Sequence, residues 1–207
     1  MSGKFEAKKK RKKWPWIVAG AVLLIAVAVF AFFWFSGTEQ LTGQPTLIVE
    51  TPQKISRSQS EEFVLDVTIS DLGETTYPAA SMSIAFDASC LEFLGVEEGN
   101  VFITDDENGR QLPQWSCNPQ NSNATGVINI MYLDMTGGKN AFHQSLLEEE
   151  DNVVLRLAFR LRGSARAGDV YELVVEDAVF AASDETQSLA MTLDTLKVRH
   201  GKIVVGE

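Results

Sequence analysis

The feature that most limits the fold of this chain is an uncharged apolar run of 22 residues, from Trp14 to Phe35. At 1.5 Å per residue, a helix of that length reaches ~33 Å, which matches a bilayer hydrocarbon core of about 30 Å. Indole rings stand at both ends of the run, where Trp is typical of the membrane interface. The run therefore predicts a single transmembrane helix over residues 14–35.

The orientation of this helix follows from its flanks. Six consecutive basic residues, Lys8–Lys13, precede it, and such residues stay in the cytoplasm. A cleaved signal peptide is the alternative, but its apolar core is about 7–15 residues and ends in small residues. Bulky aromatic residues occupy positions 32–35 here. We expect an uncleaved signal anchor in a single-pass membrane protein, with a cytoplasmic stub over 1–13, a tether over 36–44 and an extracellular domain over 45–207.

The charge of the chain changes sign after residue 13, where the predicted membrane helix begins. Residues 1–13 carry seven basic residues and one acidic residue, whereas the remainder carries 11 basic and 27 acidic residues. An acidic domain repels phosphate backbones, so we do not expect a nucleic-acid partner. The whole chain is 45% hydrophobic and 22% charged, which is typical of a folded protein.

After Pro45, apolar residues recur with a period of two. The segments EEFVLDVTIS and VVLRLAFRLR both alternate strictly, which is typical of half-buried strands. Turn residues separate about nine such segments, so the pattern predicts an all-β fold, an antiparallel β-sandwich or jelly roll. Only Ala141–Glu150 is typical of a short helix. The predicted strands are residues 46–50, 61–70, 81–86, 91–97, 127–133, 153–162, 171–180, 188–192 and 196–205.

The predicted domain carries no recognisable catalytic or metal-binding motif. It has neither a G-x-S-x-G nor an H-E-x-x-H sequence, and its two histidines, His143 and His200, have no Cys or His partner at ligand spacing. The segment Thr104–Arg110 is interpreted as a turn, because an EF-hand loop placed on it requires an acidic ligand where Trp115 stands. We expect no enzyme activity, no metal site and no cofactor.

Cys90 and Cys117 are the only cysteines. In an oxidising compartment the pair can form a disulfide that closes a loop of about 28 residues and stabilises the fold by roughly 3 kcal/mol. Two free thiols are the alternative. The residues alone do not distinguish the two.

The order of elements resembles the cohesin domain family. Residues 81–102, SMSIAFDASCLEFLGVEEGNVF, are similar to a cohesin strand that ends in an aromatic-Asp pair and is followed by Leu-Glu and a Gly turn. Residues 128–138, INIMYLDMTGG, are similar to a later strand that enters an acidic, Gly-containing loop. Residues 153–184, followed by TLKVRHGKIVV, resemble the C-terminal half, so the resemblance covers about Pro45 to Val205. It implies a nine-stranded jelly-roll sandwich that binds dockerin modules, small calcium-loaded helical pairs on polysaccharide-degrading enzymes.

The resemblance also implies which residues contact the partner, because cohesins bind through their third, fifth, sixth and eighth strands. Met and Leu side chains around small Ala and Ser residues would form an apolar plateau, which is typical of a contact surface. The alternative is that the predicted helix over residues 141–150 covers this sheet. Carried over by position, the contact residues are Ala79, Ser81, Ser83, Ala85, Trp115, Asn129, Met131, Leu133, Thr136, Gly137, Leu189 and Met191.

The sequence therefore predicts a membrane-anchored module that binds dockerin-bearing, polysaccharide-degrading proteins at the cell surface, with calcium carried by the partner. Familiar cohesins have Asn and Asp on the third strand, where this chain has Ala79 and Ser81, so we expect a larger apolar share in the contact. One alternative is direct binding of polysaccharide, which needs a row of exposed aromatic residues. Another is a structural spacer without a ligand.

Overall fold

The computed structural model describes residues 45–52, 54–56, 62–72, 75–106, 109–147, 152–183 and 190–207. The basic stub, the predicted membrane helix and the tether lie outside these residues. Within the part of the chain that is described, no helix is both long and apolar enough to cross a bilayer.

Fourteen strands, several of them only two or three residues long, occur in the described residues. The alternating segments form the long strands because one side of each can be buried while the other stays in water. In chain order they are β1 (Thr46–Val49), β2 (Phe63–Ile69), β3 (Thr76–Tyr77), β4 (Ala79–Ala85), β5 (Leu91–Glu98), β6 (Thr104–Asp106), β7 (Gly109–Gln111), β8 (Ser116–Cys117), β9 (Val127–Leu133), β10 (Phe142–His143), β11 (Val153–Leu161), β12 (Val170–Ala181), β13 (Lys197–Arg199) and β14 (Gly201–Val204).

Ten of these strands form two five-stranded sheets, which confirms the predicted all-β sandwich. Sheet I has the order β13-β1-β2-β11-β5, and sheet II has the order β14-β12-β4-β9-β8. The remaining strands form two small two-stranded sheets, β3 with β10 and β6 with β7. The β6-β7 pair falls where the sequence predicts a turn at residues 104–110, and the two residues between the strands, 107 and 108, lie outside the described residues.

Two details of the predicted sandwich are wrong. The sandwich is not wholly antiparallel, because β1 and β13 run parallel with Thr46 beside Lys197. The strand count differs from nine, partly because the single strand predicted over residues 196–205 divides at His200. Its first half joins sheet I as β13 and its second half joins sheet II as β14, so this segment links the two layers.

The core lies between the sheets and is rich in Phe. Phe93, Phe142, Phe159 and Phe180 are the largest fully buried side chains. The Phe93 and Phe159 ring centroids are 5.5 Å apart, and those of Phe142 and Phe180 are 5.9 Å apart. Burial of each ring contributes roughly 1.5–3 kcal/mol, and the tilted and edge-on ring pairs add to this.

The outer face of sheet I is charged. Arg156 Nε donates to Asp66 Oδ1 at 2.9 Å, and Arg160 lies 3.6 Å from Glu92. Each partner stands on a neighbouring strand, directly opposite its arginine. Such exposed pairs add about 1 kcal/mol at most, so their main consequence is a face well adapted to water.

The helix predicted over residues 141–150 is wrong. Phe142 and His143 form β10, which pairs with β3, and a single 3-10 turn follows over Gln144–Leu146. Tertiary contacts override the local helix preference here, because Phe142 is fully buried and the Gln144 side chain accepts from Leu72 N at 2.6 Å. Residues 148–150 lie outside the described residues.

The sequence prediction missed helix α1, Pro119–Thr125. Asn118 caps its N-terminus by accepting from Asn121 N at 3.0 Å, and Pro119 occupies the first turn. Gly126 ends the helix in the left-handed region, with φ of 75°. Asn-Pro at the start and Gly at the end are recognisable helix signals, although the segment has no apolar stripe.

Candidate partner-binding face

The outer face of sheet II consists of the side chains of β4, β9 and β12 that point away from the core. On β9, Ile128, Ile130 and Tyr132 are buried, whereas the residues that follow each of them are exposed. The same alternation on β4 buries Met82 and Ile84. The structure thus places seven of the carried-over residues on this outer face: Ala79, Ser81, Ser83, Ala85, Asn129, Met131 and Leu133.

Strand register aligns these side chains in rows across the sheet. The central strand, β4, contributes only Ala and Ser to the rows, while its neighbours contribute larger residues. From β9 through β4 to β12, the rows are Leu133–Ala79–Ala181, Met131–Ser81–Val179, Asn129–Ser83–Asp177 and Val127–Ala85–Val174. The face is therefore a shallow trough, with β4 as its floor and β9 and β12 as its sides.

One end of the trough is apolar and unusually exposed. Met131 and Leu133 each have 55% of their surface exposed, and Met135, in the following loop, has 84%. Large apolar side chains grouped in this way generally mark a contact surface, and Met adapts its shape to a partner. Phe142 and His143, which were expected in a covering helix, pair with β3 instead, and Met131 and Leu133 remain exposed.

Away from Met131 and Leu133 the trough is polar at the row Asn129–Ser83–Asp177, which is called the polar end below, and only the row Val127–Ala85–Val174 lies beyond it. Ser83 Oγ donates to Asn129 Oδ1 at 2.8 Å. On the β12 side, the pairing with β4 slips between Val175 and Asp177, so that Glu176 is an extra residue. This β-bulge leaves Glu176 and Asp177 both exposed, although consecutive residues of a regular strand point to opposite sides.

A hollow lies beside the apolar end. Its volume is about 430 Å³, and Ser81, Ser83, Asn129 and Met131 line its floor and wall. Ser116, on the short edge strand β8, also lines this open hollow. The hollow can receive a side chain of a bound partner.

The loop after β9 extends the face and has a fixed shape. Thr136 N and Gly138 N donate to the Asp134 carboxylate at 2.7 and 2.6 Å. Burial opposes ionisation of Asp134, but hydrogen bonds from Thr136, Gly138 and Asn140 outweigh it and hold its pKa below the ordinary value. The carried-over residues Thr136 and Gly137 are exposed in this loop, and Gly137 has φ of 76°.

Three carried-over residues do not contribute to the described face. Met191 is only 4% exposed and forms a bridge to Phe180, so the expectation that it faces outward is wrong. Trp115 immediately precedes β8, but its indole packs inward, with Nε1 donating to Val154 O at 2.9 Å. Leu189 lies outside the described residues.

The assignment of the eighth strand was the cause of this error. The strand beside β4 is β12, not the segment around Met191. Sequence reasoning therefore missed Val179 and Asp177, which complete the rows. The signal was present in the sequence VYELVVEDAVFA, where alternation is regular up to Val175 and resumes after the Glu-Asp pair.

Cys90 and Cys117 are free, half-buried thiols in the structure. Cys117 lies on β8, opposite Ile130. A hydrogen bond from Tyr171, supported by Ser89 and Ser164, lowers the pKa of Cys90. The disulfide alternative is therefore not the one that the structure shows.

The aromatic residues that a sugar-binding surface would need point inward. Tyr77, Tyr132 and Tyr171 are buried, and the Trp115 ring lies 5.7 Å from Tyr132 and 5.8 Å from Phe142. Burial of Tyr132, together with the nearby Asp134 charge, raises its pKa to about 12. No aromatic row stands on the described surface.

The described residues contain no group of three or more His, Cys, Asp or Glu side chains that could hold a metal ion.

This β-sandwich has a charged outer face on one sheet and an exposed apolar trough on the other. Such a surface is typical of a protein-binding module. A family profile for the cohesin domain matches residues 50–198. The chain belongs to the cohesin domain family, whose members are protein-binding domains without enzymatic activity.

Solved cohesin structures share this fold. The third cohesin of ScaC from Acetivibrio cellulolyticus, solved in complex with the ScaB dockerin, superposes with a TM-score of 0.57 at 12% identity, over 79% of this chain and 99% of that chain. The OlpA cohesin from Clostridium thermocellum, in complex with Doc918, gives 0.57 at 15% identity over 79% and 99%. CaCohA2 from Clostridium acetobutylicum gives 0.53 at 24% identity over 79% and 91%. A search of curated proteins finds no match.

Proposed function

We propose that this chain is a membrane-anchored cohesin that binds a dockerin module of a polysaccharide-degrading protein at the cell surface, through the outer face of sheet II. The observation that carries the proposal is the exposure of Met131 and Leu133 beside a floor of Ala and Ser. The ScaC and OlpA cohesins were solved with dockerins, which supports a partner of the same type here.

The chemistry of the face supports a protein partner rather than a small molecule. The trough is open, and its hydrogen-bonding groups are few and at one end. Affinity at such a face comes from a buried apolar centre with a polar rim. Met131 and Leu133 supply the apolar centre, and Asn129, Ser83 and Asp177 supply part of the rim. Calcium enters with the partner.

A charge placed on the trough tests the binding face. We expect the full chain, kept in mild detergent, to retain dockerin modules from a panel, and Met131→Asp or Leu133→Asp to weaken retention by about a hundredfold or more, because the carboxylate is buried without a partner. Val64→Asp is the matched control. Val64 is 41% exposed on β2, on the outer face of sheet I, so this change should leave binding intact. Equal retention by all three variants would falsify the proposed face.

The proposed anchor rests on the run Trp14–Phe35 and the basic residues before it. External protease added to intact cells should remove the C-terminal domain while leaving an N-terminal tag protected. Deletion of residues 14–35 should abolish membrane association. A domain that stays protected in intact cells and becomes sensitive only after lysis contradicts the proposed location.

A further inference from the structure

The two ends of the trough differ in charge, and this difference restricts the partner. The apolar end contains Met131 and Leu133. The β12 side of the polar end carries Glu176 and Asp177, which the β-bulge directs to the same side of the sheet. Bulges commonly serve to re-aim side chains in this way. Two adjacent carboxylates therefore stand about two residues, or ~7 Å, along the sheet from the Met131 row.

Neither of these carboxylates is held in an ion pair within the described part of the chain. Glu172, on the same strand and the same outer face, differs from them because it forms an ion pair with Lys202 at 3.1 Å. Glu176 and Asp177 form no such pair among the described residues. The outward positions of β4 and β9 are Ala, Ser, Asn, Val, Met and Leu, with no basic residue. The polar end thus presents net negative charge to a docked partner.

The dimensions of the trough fit one helix. Its sides, β9 and β12, are two strand spacings apart, or roughly 9–10 Å, and an α-helix with side chains measures about 10–12 Å. Small residues along β4 permit a close approach. From the Leu133 row to the Asp177 row is four residues, ~14 Å, or about two to three helical turns of ~5.4 Å.

We propose that the dockerin helix that lies along β4, with an apolar side chain against Met131 and Leu133, must also carry a Lys or Arg against Glu176 and Asp177. This inference rests on the proposed function and specifies which dockerin helices this face accepts. A second copy of this face is a poor occupant, because its outward residues on β4 and β9 supply no base. Anionic lipid is repelled by the same two carboxylates.

A displayed dockerin library tests the inference. One dockerin scaffold, varied among Ala, Leu, Glu, Lys and Arg at its exposed helix positions, is sorted with the full chain in mild detergent. We expect the wild-type chain to enrich Lys or Arg at one helix position. Glu176→Gln with Asp177→Asn should remove that enrichment, and Glu176→Lys with Asp177→Lys should reverse it to Glu. The best wild-type binder should lose roughly three- to tenfold in affinity on the Gln/Asn variant and show a weaker salt dependence.

Glu172→Gln is the matched control, because it removes a carboxylate from the same strand and face that Lys202 already neutralises; its selected helices should match those of the wild type. Selection of the same helices by the wild-type and the double-Lys chains overturns the charge inference while leaving dockerin binding intact. Retention of no library member by the wild-type chain, or equal retention by Met131→Asp, overturns the proposed function and this inference together.

Discussion

At the residue scale, Asn123 shows how one side chain protects a sheet edge. Its Oδ1 accepts from Phe93 N at 2.9 Å, and its Nδ2 donates to Phe93 O at 2.7 Å and to Pro119 O at 2.9 Å. The amide thereby occupies the backbone groups of edge strand β5, as a neighbouring strand would. Asn123-Ala124-Thr125 also matches a glycosylation sequon, but both Nδ2 hydrogens are used, so the folded domain has no site for a glycan there.

Replacing Asn123 should destabilise the domain. Asn123→Ala leaves Phe93 N and O without partners, and we expect the free energy of unfolding to fall by about 1–3 kcal/mol. Asn121→Ala, in the same helix but exposed, should change it by less than about 0.5 kcal/mol. Urea unfolding of the two variants measures the difference, and equal midpoints contradict the proposed role of Asn123.

Asp134 gives a pH dependence with a definite sign. Its folded pKa is lowered, so the ionised form stabilises the loop at neutral pH. That contribution is present above the unfolded pKa of about 3.9 and is lost as the pH falls through the folded value. We expect Asp134→Asn to lose stability at pH 7 but to show a smaller further loss on acidification than the wild type. Urea midpoints at pH 7 and pH 3 provide the test, and parallel losses in both chains contradict it.

At the element scale, the junction between β5 and β11 depends on a close backbone approach. Asn100 N and Val101 N both donate to Val153 O, at 2.8 and 3.1 Å, and Asn100 Oδ1 accepts from Val153 N at 2.7 Å. A Cβ added to Gly99 would lie 1.9 Å from Val153 O. The three-residue segment from Gly99 can wrap this carbonyl only because its first residue has no side chain.

Gly99→Ala should therefore cost more than about 2 kcal/mol of stability, because backbone rather than a flexible side chain must shift. Gly163→Ala is the control, since no atom lies within 4 Å of a Cβ built there. Thermal unfolding should show a clear decrease in midpoint for the first variant and almost none for the second. A Gly99→Ala domain as stable as the control would mean that this junction relaxes freely.

The alternation of apolar and polar residues predicts some features of the fold and not others. Alternation shows which side of a strand is buried, so the outward positions of Met131 and Leu133 could be read directly. It does not show which strand lies beside which. Pairing of β12 with β4 depends on long-range packing in the core, which alternation does not encode, and for that reason the sequence predicts the eighth strand at the wrong segment, near Met191. The division of residues 196–205 at His200 is likewise a tertiary event, with Val175 N donating to His200 Nδ1 at 3.1 Å.

At the scale of the whole molecule, the two outer faces have different chemistry although the two sheets share one core. Sheet I carries the Arg156–Asp66 and Arg160–Glu92 pairs on its outer face, so these four charges are paired within the domain. Sheet II leaves apolar side chains exposed and two carboxylates unpaired among the described residues. This asymmetry, rather than the sandwich itself, supports the proposal that the partner binds sheet II.

Methionine oxidation measures this asymmetry directly. Met131 and Met135 are exposed, whereas Met82 and Met191 are buried, so dilute peroxide should oxidise the first two quickly and the others slowly in the folded chain. In urea all of them should react at similar rates, which is the control for intrinsic reactivity. A bound dockerin should protect Met131, because that residue lies in the proposed contact, and prior oxidation of Met131 should weaken binding by making the apolar end polar. Slow oxidation of Met131 in the free chain would show that the trough is covered. Fast oxidation of Met191 would show that this residue is exposed after all.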